Sequence, residues 1–389
     1  MLDAVVVAAA RTPVGRRGGA LSSVHPADLS ALVLRALVDR SGLDPALVDD
    51  VIWGCVSQVG EQTSNIARSA VLAADWPETV PAVTVDRQCG SSQQAIAFAA
   101  AGLMSGQYHV VVAGGVESMS RVPLGSSATV SGEPFGPAVL ARYAEAFRDA
   151  GTVTFHQGVA AELIAERWEL ERIDLDEYAL QSHERATEAT KQGLLVDEIV
   201  PVTLTDGSVV TVDEGIRGDT SLEKLGRLPT PFRDDGVVTA GSSSQISDGA
   251  AALLMTTSER AAALGLTPMA QVHSNVVVGD DPVMMLTGPI AATDRLVRRS
   301  GVSLDDIAAF EVNEAFASVP LAWAEETGVD PSLINPLGGA IALGHPLGAT
   351  GARLATTLIH HLDRTGGRYG LQTMCEGGGQ ANATLYATR

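Results

Sequence analysis

The stretch that decides the fold class runs Thr84-Val85-Asp86-Arg87-Gln88-Cys89-Gly90-Ser91-Ser92, followed by the alanine-rich run Ala95 to Met104 and by Val110-Val111-Val112-Ala113-Gly114-Gly115. Short β-branched runs on either side of an uninterrupted apolar segment of helical length read as strand, turn, buried helix and strand, the last closed by its glycine pair. Working outward, Ala4 to Ala9 is a buried-strand run, Asp28 to Val38 has apolar residues at helical spacing, and Val51 to Val56 reads as another strand. The alternation predicts an α/β fold.

From about Met119 to Ser244 the character changes. Gly, Ser and Pro interrupt the pattern, and charged amphipathic helices appear at Ala160 to Trp168 and Asp176 to Gln192. This segment reads as an insertion. After Ala250 the alternation resumes: Asp306 to Val312 leads into Asn313-Glu314-Ala315-Phe316, and a glycine-rich stretch from Gly338 to Gly351 precedes a helix over Ala352 to Leu362. The chain ends with Gly370 to Cys375, three glycines, and a strand at Ala383 to Ala387. Each half places a cysteine at a strand end beside glycine, which suggests a duplicated unit.

At 389 residues the chain is long enough for at least two core-bearing units. The apolar run Ala4 to Ala10 has an acidic residue before it and Arg11, Arg16 and Arg17 after it, the reverse of a secretory signal, and it is too short to span a bilayer. A formal charge of -20 opposes nucleic acid and anionic membrane surfaces as partners, so an anionic substrate needs a local basic patch. Cys55, Cys89 and Cys375 are odd in number and widely separated, which favours free thiols in a reducing cytoplasm over a disulfide framework. None has a Cys or His within four residues, so no metal site is expected.

Three residues carry candidate chemistry. Cys89 sits at the expected N-terminus of a buried helix, where unpaired N–H groups favour a thiolate; taken alone, a lone cysteine is more commonly a small buried hydrophobe. His345 lies in Asn335-Pro336-Leu337-Gly338-Gly339-Ala340-Ile341-Ala342-Leu343-Gly344-His345-Pro346-Leu347-Gly348, whose glycines and prolines imply tight turns. Its imidazole could take a thiol proton or donate to an oxyanion, or could simply be a surface turn histidine. Cys375 precedes Glu376-Gly377-Gly378-Gly379, which is either a nest of backbone N–H groups facing a reacting carbonyl or a mere loop.

In combination these motifs resemble the thiolase family. Cys89-Gly90-Ser91-Ser92, Asn313-Glu314-Ala315-Phe316, Gly339 to Pro346 and Cys375 to Gly379 occur in the family's order, with Arg11 to Gly15, Val238 to Gly241 and Ser247 to Ala250 also matching. The resemblance implies two βαβαβαββ halves in a five-layered α/β/α/β/α arrangement. These would be an N-terminal half over residues 1–118, completed by about 245–265, an inserted loop domain over 119–244, and a C-terminal half over 266–389. It implies that Cys89 carries the acyl group, that His345 activates it, and that Cys375 serves as acid or base in the other half-reaction. One oxyanion site would combine His345 with a water held by Asn313, itself readable as an ordinary capping residue. The other would use the N–H groups of Cys89 and Gly377, each donor worth roughly 3 kcal/mol.

The resemblance also assigns coenzyme A as a substrate rather than a permanently bound cofactor. Arg217 and Lys224, in a basic cluster with Arg227 and Arg233, fall in the family's coenzyme-binding loop; Ser244 matches a pantetheine contact, and His156, Phe232, Met285 and Phe316 fall at the pantetheine and acyl pocket. Cys55 falls near the family's dimer interface and reads as structural; a homodimer or homotetramer is implied. Asp86, Gln157 and Glu376 depart from the short-chain biosynthetic pattern. Ser242 to Gln245 and Cys375-Glu376-Gly377 look more like degradative members, including actinobacterial ones acting on steroid-derived acyl chains. The implied activity is thiolytic cleavage of a 3-ketoacyl-CoA. Its rivals are a carrier-protein ketoacyl synthase, disfavoured by Cys375 where that class has a second histidine, a biosynthetic acetoacetyl-CoA thiolase, and a non-catalytic acyl-CoA or lipid-binding relative.

Overall fold

The computed structural model describes residues 2–129 and 134–388. In chain order its main elements are β1 (Val5–Arg11), α1 (Pro26–Ser41), β2 (Asp50–Gly54), α2 (Ile66–Ala73), β3 (Ala82–Val85), α3 (Ser91–Met104) and β4 (Val110–Ser118). Then come α4 (Pro137–Asp149), α5 (Gln157–Arg167), α6 (Arg172–Lys191), β5 (Ser247–Thr256), β6 (Ala270–Gly279), α7 (Gly288–Ser300), β7 (Ala309–Val312), α8 (Ser318–Thr327), α9 (Leu347–Thr365), β8 (Tyr369–Glu376) and β9 (Gln380–Ala387).

A ten-stranded sheet runs β7-β8-β9-β6-β1-β5-β4-β2-β3, with the short strand Gly15–Arg16 added beside β5. The duplication is visible in the pairing. In the first half β2 is parallel to β4, β4 antiparallel to β5, and β5 antiparallel to β1. In the second, β7 is parallel to β8, β8 antiparallel to β9, and β9 antiparallel to β6. Even the edge is echoed, since β3 pairs parallel with β2 while Ile334 forms a parallel bridge to Phe310. The halves join where Val5 and Val6 pair with Gln271 and Ala270.

The helices form three layers around the two halves of the sheet. Helices α1 and α2 cover the outer face of the first half, through Leu29, Val33, Leu37 and Val71 against Trp53, Val112 and Leu254. Helices α3 and α9 lie between the halves, where Ile96, Ala99, Leu103, Ala355 and Ile359 meet Ile52, Leu253, Ala309 and Tyr386. Helices α7 and α8 cover the outer face of the second half. The result is the five-layered α/β/α/β/α arrangement.

Two readings of glycine need correction. Gly114-Gly115 does not end a strand; β4 continues through it to Ser118. A Cβ on Gly115 would lie 2.0 Å from the Gly348 carbonyl oxygen and one on Gly114 2.4 Å from that of Ala251, so these glycines admit neighbouring backbone. Gly348 and Gly351, expected ahead of a helix, lie inside α9, which starts at Leu347. A Cβ on Gly351 would meet the Gln93 backbone nitrogen at 2.3 Å, and Ala352 N donates to Ser92 Oγ at 2.9 Å. Small residues thus let the first turns of α3 and α9 cross closely.

Candidate active site

That crossing positions the candidate residues, because Cys89 stands just before the Gly90 cap of α3 and His345 just before the Pro346 cap of α9. Gly54, at the end of β2, fits between the two helices: its Cβ would lie 2.4 Å from Ser92 N and 2.7 Å from the Gly348 carbonyl oxygen. The turn carrying Cys89 is locked by side chains. Asp86 Oδ1 accepts from Gln88 N at 2.6 Å, while Ser91 Oγ accepts from Arg87 N at 2.9 Å and donates to Gln88 O at 2.6 Å. Gln88 is held at φ +48°, a strained left-handed conformation beside the thiol.

Opposite it, β8 and β9 are joined by Gly377-Gly378-Gly379, the second and third at φ +83° and +72°. Glycine is required there by conformation. The two turns meet: Arg87 Nη1 donates to Gln380 Oε1 at 2.8 Å, and the backbone N–H groups of Cys89 and Gly377 both stabilise negative charge on the Cys89 sulfur. Burial and then the Glu376 carboxyl outweigh them, pushing the thiol up to about 12. Burial thus opposes the helix terminus, which favours the thiolate. Cys375 is fully buried, and its thiol is raised by burial and by the nearby charge of Cys89.

His345 is buried, which lowers it to about 3, with Arg353 adding to the effect. Its Nδ1 lies 2.6 Å from Thr350 Oγ1, and that hydroxyl donates its own proton to Pro346 O at 2.8 Å. With its proton directed at Pro346 O, Oγ1 can accept from Nδ1–H, the tautomer that leaves the Nε2 lone pair facing the site. Asn313 Nδ2 is 3.5 Å from Nε2, and Asn313 Oδ1 is buried with no hydrogen-bond partner among the described residues. The adjacent Glu314 carboxylate accepts from Tyr178 Oη, Ser182 Oγ, Asn335 Nδ2 and Ile341 N at 2.8 to 3.0 Å, tying α6 to the His345 loop.

A cleft of about 590 Å³ lies beside this centre, lined by Arg217, Ser244, Phe232, Gln245 and also Arg16 and Arg17. Ser244 N donates to Ala315 O at 3.0 Å, which fastens the cleft wall to the Asn313 turn. His156 caps α5 through Nδ1 and meets Phe232 edge-on; Phe232 in turn meets Phe316 edge-on. Phe316, Met285 and Cys375 share one apolar cluster. Met285 is held at φ +50°. Lys224, Arg227 and Arg233 do not line the cleft; they pair with Asp219, Glu223 and Glu166. Cys55 is fully buried beside Glu117, and burial and that carboxylate raise its thiol.

Sequence reasoning missed Arg16, Arg17, Thr350 and Glu314 as parts of the site. The arginine pair had a signal, since it directly follows the Arg11 to Gly15 motif, but it was read only as flanking charge.

With this geometry in view, residues 4–259 match the family model for the thiolase N-terminal domain, and residues 266–388 that for the thiolase C-terminal domain. The chain belongs to the thiolase family. This thiolase is 52% identical to the steroid 3-ketoacyl-CoA thiolase FadA6 of Mycobacterium tuberculosis, over 99% of this chain and 94% of that one. It is 44% identical to the 3-oxoadipyl-CoA/3-oxo-5,6-dehydrosuberyl-CoA thiolase of Escherichia coli, over 99% of both chains. Among solved structures, the acetyl-CoA acetyltransferase of Bacillus anthracis superposes with a TM-score of 0.90 at 38% identity, covering 100% of this chain and 99% of that one.

Proposed function

We propose that this thiolase cleaves 3-ketoacyl-CoA compounds with coenzyme A, through an acyl thioester on Cys89. The observation that carries the reading is the meeting of the Cys89 turn with the Gly377 hairpin, beside a histidine whose Nε2, with Asn313 Nδ2 at 3.5 Å, faces the site. The Cys89 thiol gives its proton to His345 Nε2 as sulfur attacks the 3-keto carbon, and one pair of oxyanion donors receives the developing negative charge. Collapse breaks the bond between C2 and C3, and the departing enolate takes the proton of Cys375. Coenzyme A then returns a proton to Cys375 and attacks the acyl group; the Cys89 sulfur leaves and recovers its proton from His345.

Neutral resting groups suit this sequence, since charge then develops only as bonds change. The cleft beside the centre suits coenzyme A as a passing substrate, with Arg16, Arg17 and Arg217 facing its phosphates and the His156, Phe232 and Phe316 rings flanking the thiol arm. Residues 119–244 would act as the coenzyme and acyl-binding insertion of the N-terminal half. Relatives named for steroid and 3-oxoadipyl thioesters favour degradation over acetoacetyl-CoA synthesis. We place the enzyme in the cytoplasm as a homo-oligomer; among the described residues no helix is long and apolar enough to cross a membrane.

The test is intact-protein mass after mixing with a panel of 3-ketoacyl-CoA and acyl-CoA compounds. Adducts in the wild type that vanish in Cys89→Ala are expected, ranking acyl chains by bulk. Full thiolysis by Cys89→Ala would sink the reading, and binding without any adduct would favour a non-catalytic acyl-CoA carrier.

A further inference from the structure

Glu376 follows Cys375 at the end of β8, and alternation along a strand turns its side chain to the opposite face. There it meets the N-terminus of α3. A Cβ on Gly90 would lie 2.0 Å from Glu376 Oε1 and 2.7 Å from Asn382 Nδ2, so the glycine next to the nucleophile leaves room for these two side chains. Glu376 is 0% exposed, and neither carboxyl oxygen has a hydrogen-bond partner among the described residues. Asn382 Nδ2 donates to Gly90 O at 3.2 Å, but Asn382 Oδ1 is also without a partner.

A buried carboxylate with two unpaired oxygens is strongly disfavoured, whereas the acid form carries no charge and can donate to a bare acceptor such as Asn382 Oδ1. We propose that Glu376 is a positioning residue for the thiol pair: it works as the uncharged acid, and its ionisation suppresses thiolate formation at Cys89 and Cys375. This rests on the two thiols being the reactive groups of the proposed thiolysis.

The charged groups around it fit. Arg87 and Asp86 face it from the nucleophile turn, both thiols feel its charge although Cys375 projects from the other face of β8, and on β9 the neutral Asn382 lies beside it while Gln380 pairs with it across the hairpin. Gln380 already occupies Arg87 Nη1. Burial raises the carboxyl to about 8, Arg87 opposing and Asp86 adding to the rise. A negative charge on Glu376 would raise both thiols. Below that pH the carboxyl is neutral and the thiols are relieved; above it they are harder to ionise.

The experiment uses the full-length protein without substrate: the rate of iodoacetamide alkylation at Cys89, read by peptide mass from pH 6 to 10, in wild type, Glu376→Gln and Asp86→Asn. The wild-type rate should rise with pH and bend near pH 8. Glu376→Gln should show a single ionisation and exceed the wild type above the bend by about tenfold, the effect of one unit in the thiol pKa. Asp86→Asn, which keeps Glu376 but removes a neighbouring negative charge, should move the bend to lower pH. Superimposable profiles for wild type and Glu376→Gln would overturn the proposal. So would a bend that stays in place in Asp86→Asn, which covers the case of a Glu376→Gln that does not fold. Missing acyl adducts would instead sink the proposed thiolysis through Cys89, which the alkylation profiles do not probe.

Discussion

At the scale of single residues, the site depends on which nitrogen of His345 carries the proton. Thr350 favours a proton on Nδ1, because its hydroxyl lies within donor reach of Pro346 O and can then accept from the ring. Thr350→Val should therefore lower kcat on the order of 10-fold to 100-fold with little change in KM, while Thr350→Ser should keep most of the activity; steady-state thiolysis kinetics check both. The two thiols should also separate cleanly. Cys375→Ala should still accept an acyl group on Cys89 from acyl-CoA, a step with no carbon protonation, yet lose thiolysis by about 10²-fold to 10⁴-fold. Intact mass and a thiolysis assay on the same sample distinguish the two steps.

At the scale of elements, the α3 and α9 crossing brings Cys89 and His345 to one end of the central layer. Gly351→Val should force these helices apart, costing about 1–3 kcal/mol in chemical denaturation and lowering activity without touching a reacting group. This crossing also shows where the sequence was readable. The Cys89 turn, the Asn313 turn and the glycine run after Cys375 stood out because polar or glycine residues interrupt apolar runs there. The glycines of β4 and α9 were read as ends of elements because a local pattern cannot reveal close backbone approach. Only the paired surface, here the Gly348 carbonyl against Gly115, shows what the missing side chain is for. Thr350 was hidden for a similar reason: its role comes from one turn of helix folding back onto Nδ1.

At the scale of the whole molecule, a chain of formal charge -20 must attract an anionic coenzyme. Local guanidinium groups at the cleft can do this, so Arg16→Glu with Arg17→Glu should raise KM for coenzyme A several-fold at low salt. The difference should shrink as salt increases, within a Debye length of about 10 Å at 0.1 M. Stability should also carry a pH signature at the joint between insertion and cleft. His183 on α6 accepts from Arg217 N, and burial followed by the Arg217 charge lowers it from 6.5 to about 4. Between those values the unfolded chain binds a proton that the folded one does not, so stability falls as pH drops from 6.5 towards 4. The loss is about 3 kcal/mol at most, and His183→Asn should flatten that part of a denaturation series relative to the wild type.

Strand β5 fits between β1 and β4, although it follows β4 only after the entire insertion. During synthesis, a ribosome that has released residues up to 246 has therefore delivered both neighbours but not the strand that belongs in the slot. The nascent protein would show β1 and β4 with the edges that face β5 unpaired until residues 247–256 emerge, and open edges invite pairing with other chains. A pause or premature stop within the insertion should thus yield aggregating fragments rather than a stable half-molecule.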